Sequence, residues 1–222
     1  YSQASKVVAI STAILNHLTR FRDDGVVIPS CVPFRRGSAS NWIRSSRTIL
    51  VAGALSDRHK GQSVAIKTLL YLSNDWTLKI VGDGPDRQMF DTIINHHELQ
   101  SRITIISWDD EEVAQQMLKS EYFLMPSRHE GLGSILLDAM GSGCLIVASA
   151  VGGIPDLIRD RDTGLLVSPN DPVALAKALK NLDQDEFLKR RLIEGGQKLA
   201  QKHTPEVMMT QYEGVYREIL ND

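Results

Sequence analysis

The chain has 222 residues, 42% hydrophobic and 23% charged, which is the composition of an ordinary globular chain with one sizeable core. Its formal net charge of -2 supplies no overall basic field and argues against a nucleic-acid partner. No apolar run approaches the roughly 20 residues needed to span a bilayer.

The chain opens Tyr1-Ser2-Gln3-Ala4-Ser5-Lys6, without an initiator Met or a signal-peptide pattern. This start predicts an excised fragment. Lys6 to Ser11 reads as a lone strand, followed by a helix to about Arg20 and a second strand from Val26 to Pro29. Residues 1–33 are therefore expected to be the tail of a different domain. Residues 34–47, rich in Arg and Ser with Gly37, read as a linker.

From residue 48 the pattern changes to short apolar runs alternating with longer periodic segments. The runs are Thr48–Ala52, Leu78–Val81, Ile103–Ile106, Tyr122–Met125, Leu145–Ser149 and Leu165–Val167. Near-continuous apolar runs bounded by turn residues suit parallel strands covered on both faces. Between them, residues 61–72 repeat apolar positions at Val64, Ile66, Leu69 and Leu70, and residues 85–97 open on Pro85. Asp171-Pro172 and Thr204-Pro205 each mark a helix start. Strand, helix and strand in succession predict an α/β fold, a Rossmann-like open parallel sheet with helices on both faces, over residues 48–204. The last helix, within residues 205–222, places Val207, Met208, Tyr212, Val215 and Ile219 near one stripe. That stripe needs a partner surface, expected on the N-terminal domain.

Ligands of open parallel sheets bind at the carboxyl ends of the strands. Gly53–Gly61, Gly82–Pro85, Ser107-Trp108 and Pro126–Gly133 follow strands directly and should share that rim. Pro126-Ser127-Arg128-His129-Glu130-Gly131-Leu132-Gly133-Ser134 leads into a helical pattern. Unpaired backbone N–H groups at such a start suit an anion or a polar sugar, although the same pattern serves a plain strand-to-helix turn. Glu130 and Asp138 are eight positions apart, roughly 12 Å if both were helical. That exceeds the roughly 5 to 9.5 Å of a glycosidase acid–base pair and favours gripping one extended ligand. Lys60, ending the polar loop Ser56-Asp57-Arg58-His59-Lys60, could neutralise a diphosphate. Its bland alternative is an exposed lysine at a helix start. Trp108 could stack on a base, or serve as half-buried packing. Gly152-Gly153-Ile154-Pro155-Asp156 reads mainly as a turn into a helix.

Gly82-Asp83-Gly84-Pro85 lacks the third glycine of a dinucleotide fingerprint, Arg87 standing in its place. No P-loop and no Gly-x-Ser-x-Gly elbow occurs. Cys31 and Cys144 have no metal-ligand spacing and read as small buried hydrophobes of a reducing compartment. The six histidines form no metal-site pattern, so no metal is expected.

At these residues the chain resembles family 4 glycosyltransferases of the GT-B fold, from about Thr48 to Leu220. The likeness is strongest over Pro126 to Met140 with Gly143, then Val151 to Asp156, and Thr163 to Val167. Residues 6–33 resemble the end of that family's N-terminal domain. The resemblance implies a retaining transfer of a hexose-type sugar from a nucleotide diphosphate sugar to a glycan or lipid-linked acceptor, without metal or other cofactor. Glu130 and Asp138 fall on the family's Glu-x7-Glu motif. By resemblance Glu130 is the catalytic-site carboxylate that contacts the donor sugar, and Asp138 holds the ribose hydroxyls. The backbone of Gly131, Leu132 and Gly133 lies near sugar and diphosphate, Lys60 binds the diphosphate beside Gly53, and Ile106 to Trp108 hold the base. Positive charge and helix dipole would stabilise the leaving diphosphate.

Two positions depart from the pattern. Ala54 stands where the family has an arginine, with Arg58 as a replacement from the same loop, and Asp138 stands for a glutamate. The family's acceptor site and catalytic-side histidine belong to the N-terminal domain, so the chain is expected to bind a donor weakly and transfer nothing alone. The resemblance places the full-length protein in the cytoplasm, with peripheral membrane association where the acceptor is lipid-linked. Two other readings stay open: a degenerate GT-B domain serving as a partner-binding module, and a nicotinamide-dependent Rossmann enzyme.

Overall fold

Short β-branched runs separated by capped helices fold here into two units of unequal size. The computed structural model describes residues 4–19, 23–31 and 45–221. The first unit is β1 (Val8–Ala9), α1 (Thr12–Leu18) and β2 (Val26–Val27), its two strands paired in parallel. The strand expected over Lys6–Ser11 shortens to two residues because Ser11 leaves it to cap α1, its hydroxyl accepting from the Ile14 amide at 3.3 Å. The helix ends at Leu18, and its expected end at Arg20 lies outside the described residues, as do residues 34–44 of the expected linker.

The larger unit runs β3 (Ser45–Ala52), α2 (Asp57–Lys60), α3 (Gln62–Thr68), β4 (Thr77–Val81), α4 (Arg87–His96), β5 (Ile103–Ile106), α5 (Asp110–Lys119), β6 (Ser120–Met125), α6 (Ile135–Gly141), β7 (Leu145–Ser149), α7 (Ile154–Leu157), β8 (Leu165–Val167), α8 (Pro172–Asp183), α9 (Glu186–Ala200) and α10 (Pro205–Asn221). Its six strands are all parallel, in the order β5-β4-β3-β6-β7-β8. The strand expected over Thr48–Ala52 begins earlier, at Ser45, which already pairs with Ser120 of β6.

Alternation along the strands divides the core into two layers. Ile49, Val51, Ile80, Tyr122 and Leu124 pack with residues of α3, α4 and α8 on one face, while Leu50, Phe123, Met125 and Ile146 pack with α5 and α6 on the other. Asp171 caps α8 by accepting from the Ala174 amide at 2.8 Å, and Asp109 caps α5 by accepting from Glu112 at 2.9 Å. The stripe of α10 meets the first unit. Val215 is buried, Lys6 Nζ lies 2.8 Å from Glu218 Oε2, and Met208 and Val207 share a small cavity with Pro29 and Cys31. Cys144 is buried, but Cys31 is only half-buried, which corrects its reading as a core residue; neither is in a disulfide.

Candidate functional site

The strand order places the topological switch between β3 and β6, where connections leave toward opposite edges of the sheet. Ligand crevices of open α/β sheets form at this point, outside the strand carboxyl ends. A cleft of about 550 Å³ lies there. Ala52, Gly53 and Ala54 form its wall at the end of β3, and Met125 stands at the end of β6. Lys60, Asp83, Trp108, Glu130, Gly133, Ser134 and Ile135 complete the lining.

Lys60 and Glu130 meet across the cleft, with Nζ 2.7 Å from Oε2 and side-chain exposures of 31% and 13%. These exposures put the pair between a free surface bridge and a fully buried one, so the charges are partly desolvated yet open to a ligand. The other carboxylate oxygen, Oε1, accepts from the Gly131 amide at 3.2 Å. Glu130 itself lies in the loop before α6. The helical 12 Å spacing to Asp138 therefore does not apply. Asp138 is half-buried on α6, three and four residues after Ile135 and Ser134, and so follows them on one helix face, outside the cleft lining.

Lys60 ends the single turn of α2 and stands just before Gly61, the N-cap of α3, so it does lie at a helix start; it departs from its bland reading in being half-buried and paired with Glu130. Gly61 follows with φ +64°, and a Cβ there would stand 2.2 Å from the Pro126 carbonyl oxygen. Only glycine allows that approach of backbone to backbone. The His59 carbonyl accepts from the Arg128 and His129 amides at 2.8 and 3.1 Å, joining α2 to the segment after β6. Arg128 Nη1 bonds Asp57 Oδ2 at 2.6 Å. Burial pushes the Asp57 carboxyl up, but hydrogen bonds from Arg128 and Ser63 outweigh it and hold the pKa below the usual value. This network carries Lys60 to Glu130.

Gly53 and Gly133 line the cleft; Gly131 is half-buried beside it, and Leu132 is a core residue whose backbone alone is near the site. Trp108 lines the cleft, 41% exposed, its amide donating to Asp83 Oδ2 at 2.8 Å and its indole N–H to Asp110 Oδ1 at 2.9 Å. Ile106 pairs with Val81 in the sheet and is not a lining residue. Arg58, the expected replacement cation, is exposed on α2 and does not line the cleft either. Asp83 lines the cleft from the nominated Gly82–Pro85 segment, without having been singled out as a site residue, and Ser134 lines it just beyond the nominated Pro126–Gly133 segment. Among the described residues no group of three or more His, Cys, Asp or Glu is arranged to hold a metal ion.

The Glycosyl transferases group 1 family profile matches residues 38–199. The chain belongs to this family. N-acetyl-alpha-D-glucosaminyl L-malate synthase of Bacillus anthracis is 31% identical to it over 149 residues, covering 67% of this chain and 39% of the relative. The phosphatidyl-myo-inositol mannosyltransferase of Mycobacterium leprae is 27% identical over 207 residues, covering 88% and 54%. The chain thus spans about two-fifths to one-half of these curated relatives. Among solved structures, Anabaena HepE in complex with UDP superposes with a TM-score of 0.87 at 20% identity, covering 97% of this chain and 64% of that one. Sucrose-phosphate synthase from Thermosynechococcus elongatus superposes at 0.84 with 23% identity, covering 99% and 59%. The fold is that of the GT-B glycosyltransferases. No helix among the described residues is long and apolar enough to cross a membrane.

Proposed function

We propose that this chain is the donor-binding part of a retaining family 4 glycosyltransferase, and that the β3–β6 cleft holds a nucleotide diphosphate sugar. The carrying observation is the Lys60–Glu130 pair at the switch point. A donor offers each partner a better use: the diphosphate takes the ammonium, and a sugar hydroxyl donates to the released carboxylate. Lys60 then stabilises the charge that grows on the leaving diphosphate, Trp108 takes the base, and Asp138 reaches the ribose from the next turn of α6. Glu130 is the catalytic carboxylate in contact with the sugar. The transferred group is a hexose-type sugar, the acceptor a glycan or lipid-linked glycan, and the chemistry needs no metal. The setting is cytoplasmic, at the membrane face for a lipid-linked acceptor. The chain alone binds donor without transferring sugar, in keeping with its span of the named relatives.

A thermal-shift panel of UDP-, GDP- and ADP-sugars tests this reading. A ligand at about 100 times its Kd stabilises by about 2.7 kcal/mol, which raises Tm by roughly 5 to 11 °C in a domain this size. Lys60→Ala and Glu130→Ala should each abolish most of that shift. A shift that both variants retain would overturn the assignment.

A further inference from the structure

The small β1–α1–β2 unit has its own sheet, yet it presses on the loop that carries Glu130. The Thr12 amide, first of α1, donates to Asp156 Oδ2 at 2.6 Å. Ser11 is fully buried against Gly153, where an added Cβ would stand 2.6 Å from Ser11 Cβ and 2.2 Å from the Gly131 carbonyl oxygen. A Cβ at Gly131 would meet Ile10 Cδ1 at 3.3 Å and Ile14 Cδ1 at 3.6 Å. On the far side the Gly153 amide donates to the Glu130 carbonyl at 3.3 Å, and Gly152, at φ +53°, leaves no room for a side chain beside that carbonyl. Between the first unit and the Glu130 backbone lies the thickness of one glycine.

Neither Asp156 nor any of residues 10–12 lines the cleft. Asp156 is exposed in the first turn of α7. A carboxylate accepting from a backbone amide forms a charge-assisted bond, roughly twice as strong as a neutral one. We propose that Asp156 is a positioning residue: through the Thr12 amide it clamps the first unit onto Gly153, and Gly153 fixes the loop from which Glu130 reaches Lys60. Displacement of the first unit then loosens the Glu130 loop, which couples the two units of the chain to the cleft.

The effect on the loop is independent of any ligand, whereas its consequence for sugar binding rests on the donor reading above. Hydrogen exchange of the ligand-free chain is read at the Gly131 and Gly153 amides, both of which donate to Glu130. Asp156→Ala should accelerate both by about fivefold or more, the low end of coupling between sites, with Leu50 and Val147 in the central strands unchanged. Asp156→Asn keeps a carbonyl acceptor and should restore slow exchange. Thr12→Pro deletes the donor at the first helical position, where proline is well tolerated, after an extended Ser11 at φ -152°, ψ 159° that suits a residue before proline. It should reproduce Asp156→Ala, and the double variant should add nothing. UDP-glucose, GDP-mannose and ADP-glucose are then titrated beside UDP, GDP and ADP. The nucleotide sugar that binds the wild type should weaken about fivefold in both variants, with its free diphosphate changed less than twofold. Unchanged exchange at Gly131 and Gly153, equal acceleration of the central strands, additive effects in the double variant, or no restoration by Asn would each overturn the clamp. Absence of wild-type binding to all six ligands would sink the donor reading instead, and the exchange result would still decide the clamp.

Discussion

Among its charged lining residues the cleft sets one cation, Lys60, against two carboxylates, Asp83 and Glu130. On the proposed donor reading a diphosphate brings more negative charge, so binding would depend on how far Lys60 can turn from Glu130 toward the ligand. Ala54 adds no charge to the cleft: it is exposed, lines the cleft, and follows Gly53 at the end of β3. Its carbonyl accepts from the buried Gln62 amide at 2.6 Å, which keeps that backbone in place whatever the side chain. Ala54→Arg would add a planar fork suited to phosphate oxygens without filling a core position. Partly exposed charge contacts contribute about 1 kcal/mol, or about a fivefold gain in affinity for the nucleoside diphosphate. Calorimetric titration at two salt concentrations should show that gain and its decline as salt screens the contact. An unchanged or lowered affinity would mean that the diphosphate does not lie beside Gly53 and Ala54.

At the scale of elements, the site depends on the one-turn helix α2 lying against the end of β6. Gly61 makes the contact, and its substitution separates two effects. Gly61→Ala imposes left-handed strain of about 1–2 kcal/mol and also drives a Cβ into the Pro126 carbonyl. Gly61→Asn relieves much of the strain but keeps the Cβ. Both variants should lower Tm, by roughly 4–8 °C for about 2 kcal/mol in a domain of this size, and both should lose the donor-induced shift. A normal Gly61→Asn protein would show that the close approach is unimportant. This contact also marks the limit of what the sequence discloses. Ile103–Ile106, Leu145–Ser149 and Leu165–Val167 are strands at their predicted bounds; of these only β7 is buried at every residue, as a run covered on both faces requires, while β5 and β8 are edge strands whose bounds were set by their flanking turn residues. The polar start of β3, Ser45 to Arg47, was hidden for the opposite reason. Helix α5 carries a start signal in Asp109, which caps it by accepting from the Glu112 amide, while the Glu112 carboxylate turns to Gln116 and does not complete a capping box. Lys60 and Glu130 were nominated separately from strand-end position and resemblance, but their pairing joins residues 70 apart and no spacing rule predicts it.

The whole molecule is polarised along its strands, with the cleft at their carboxyl ends and an ionic knot at their amino ends. Arg47 at the start of β3 holds Asp183 at the end of α8 at 2.9 Å and also bonds Asp75. Lys189 of α9 contacts Glu121 at 3.1 Å and Glu186 at 3.0 Å. Tyr122, fully buried in β6, donates to Asp183 Oδ1 at 3.1 Å. Burial, then the neighbouring Glu121 and Asp183 charges, push the Tyr122 phenol well above its ordinary value. Lys189 is lowered by burial, but its bonds to Glu186 and Glu121 outweigh this and leave its pKa raised. Both groups thus bind their protons more tightly in the folded state. Their contribution is complete below the unfolded values, about 10 for tyrosine and 10.4 for lysine, and is lost as pH rises through the folded ones. The chain should therefore lose stability steeply above about pH 10. Tyr122→Phe removes one hydrogen bond, costing about 1 kcal/mol near neutrality, but it also removes one of the two titrations, so its stability should fall less steeply with pH. Denaturant melts between pH 8 and 11 check both statements, and parallel pH profiles for the two proteins would refute the Tyr122 contribution. Tyr122 lies three residues before Met125 on β6, about 10 Å from the cleft along the strand, so donor affinity at neutral pH should be unchanged in the same variant.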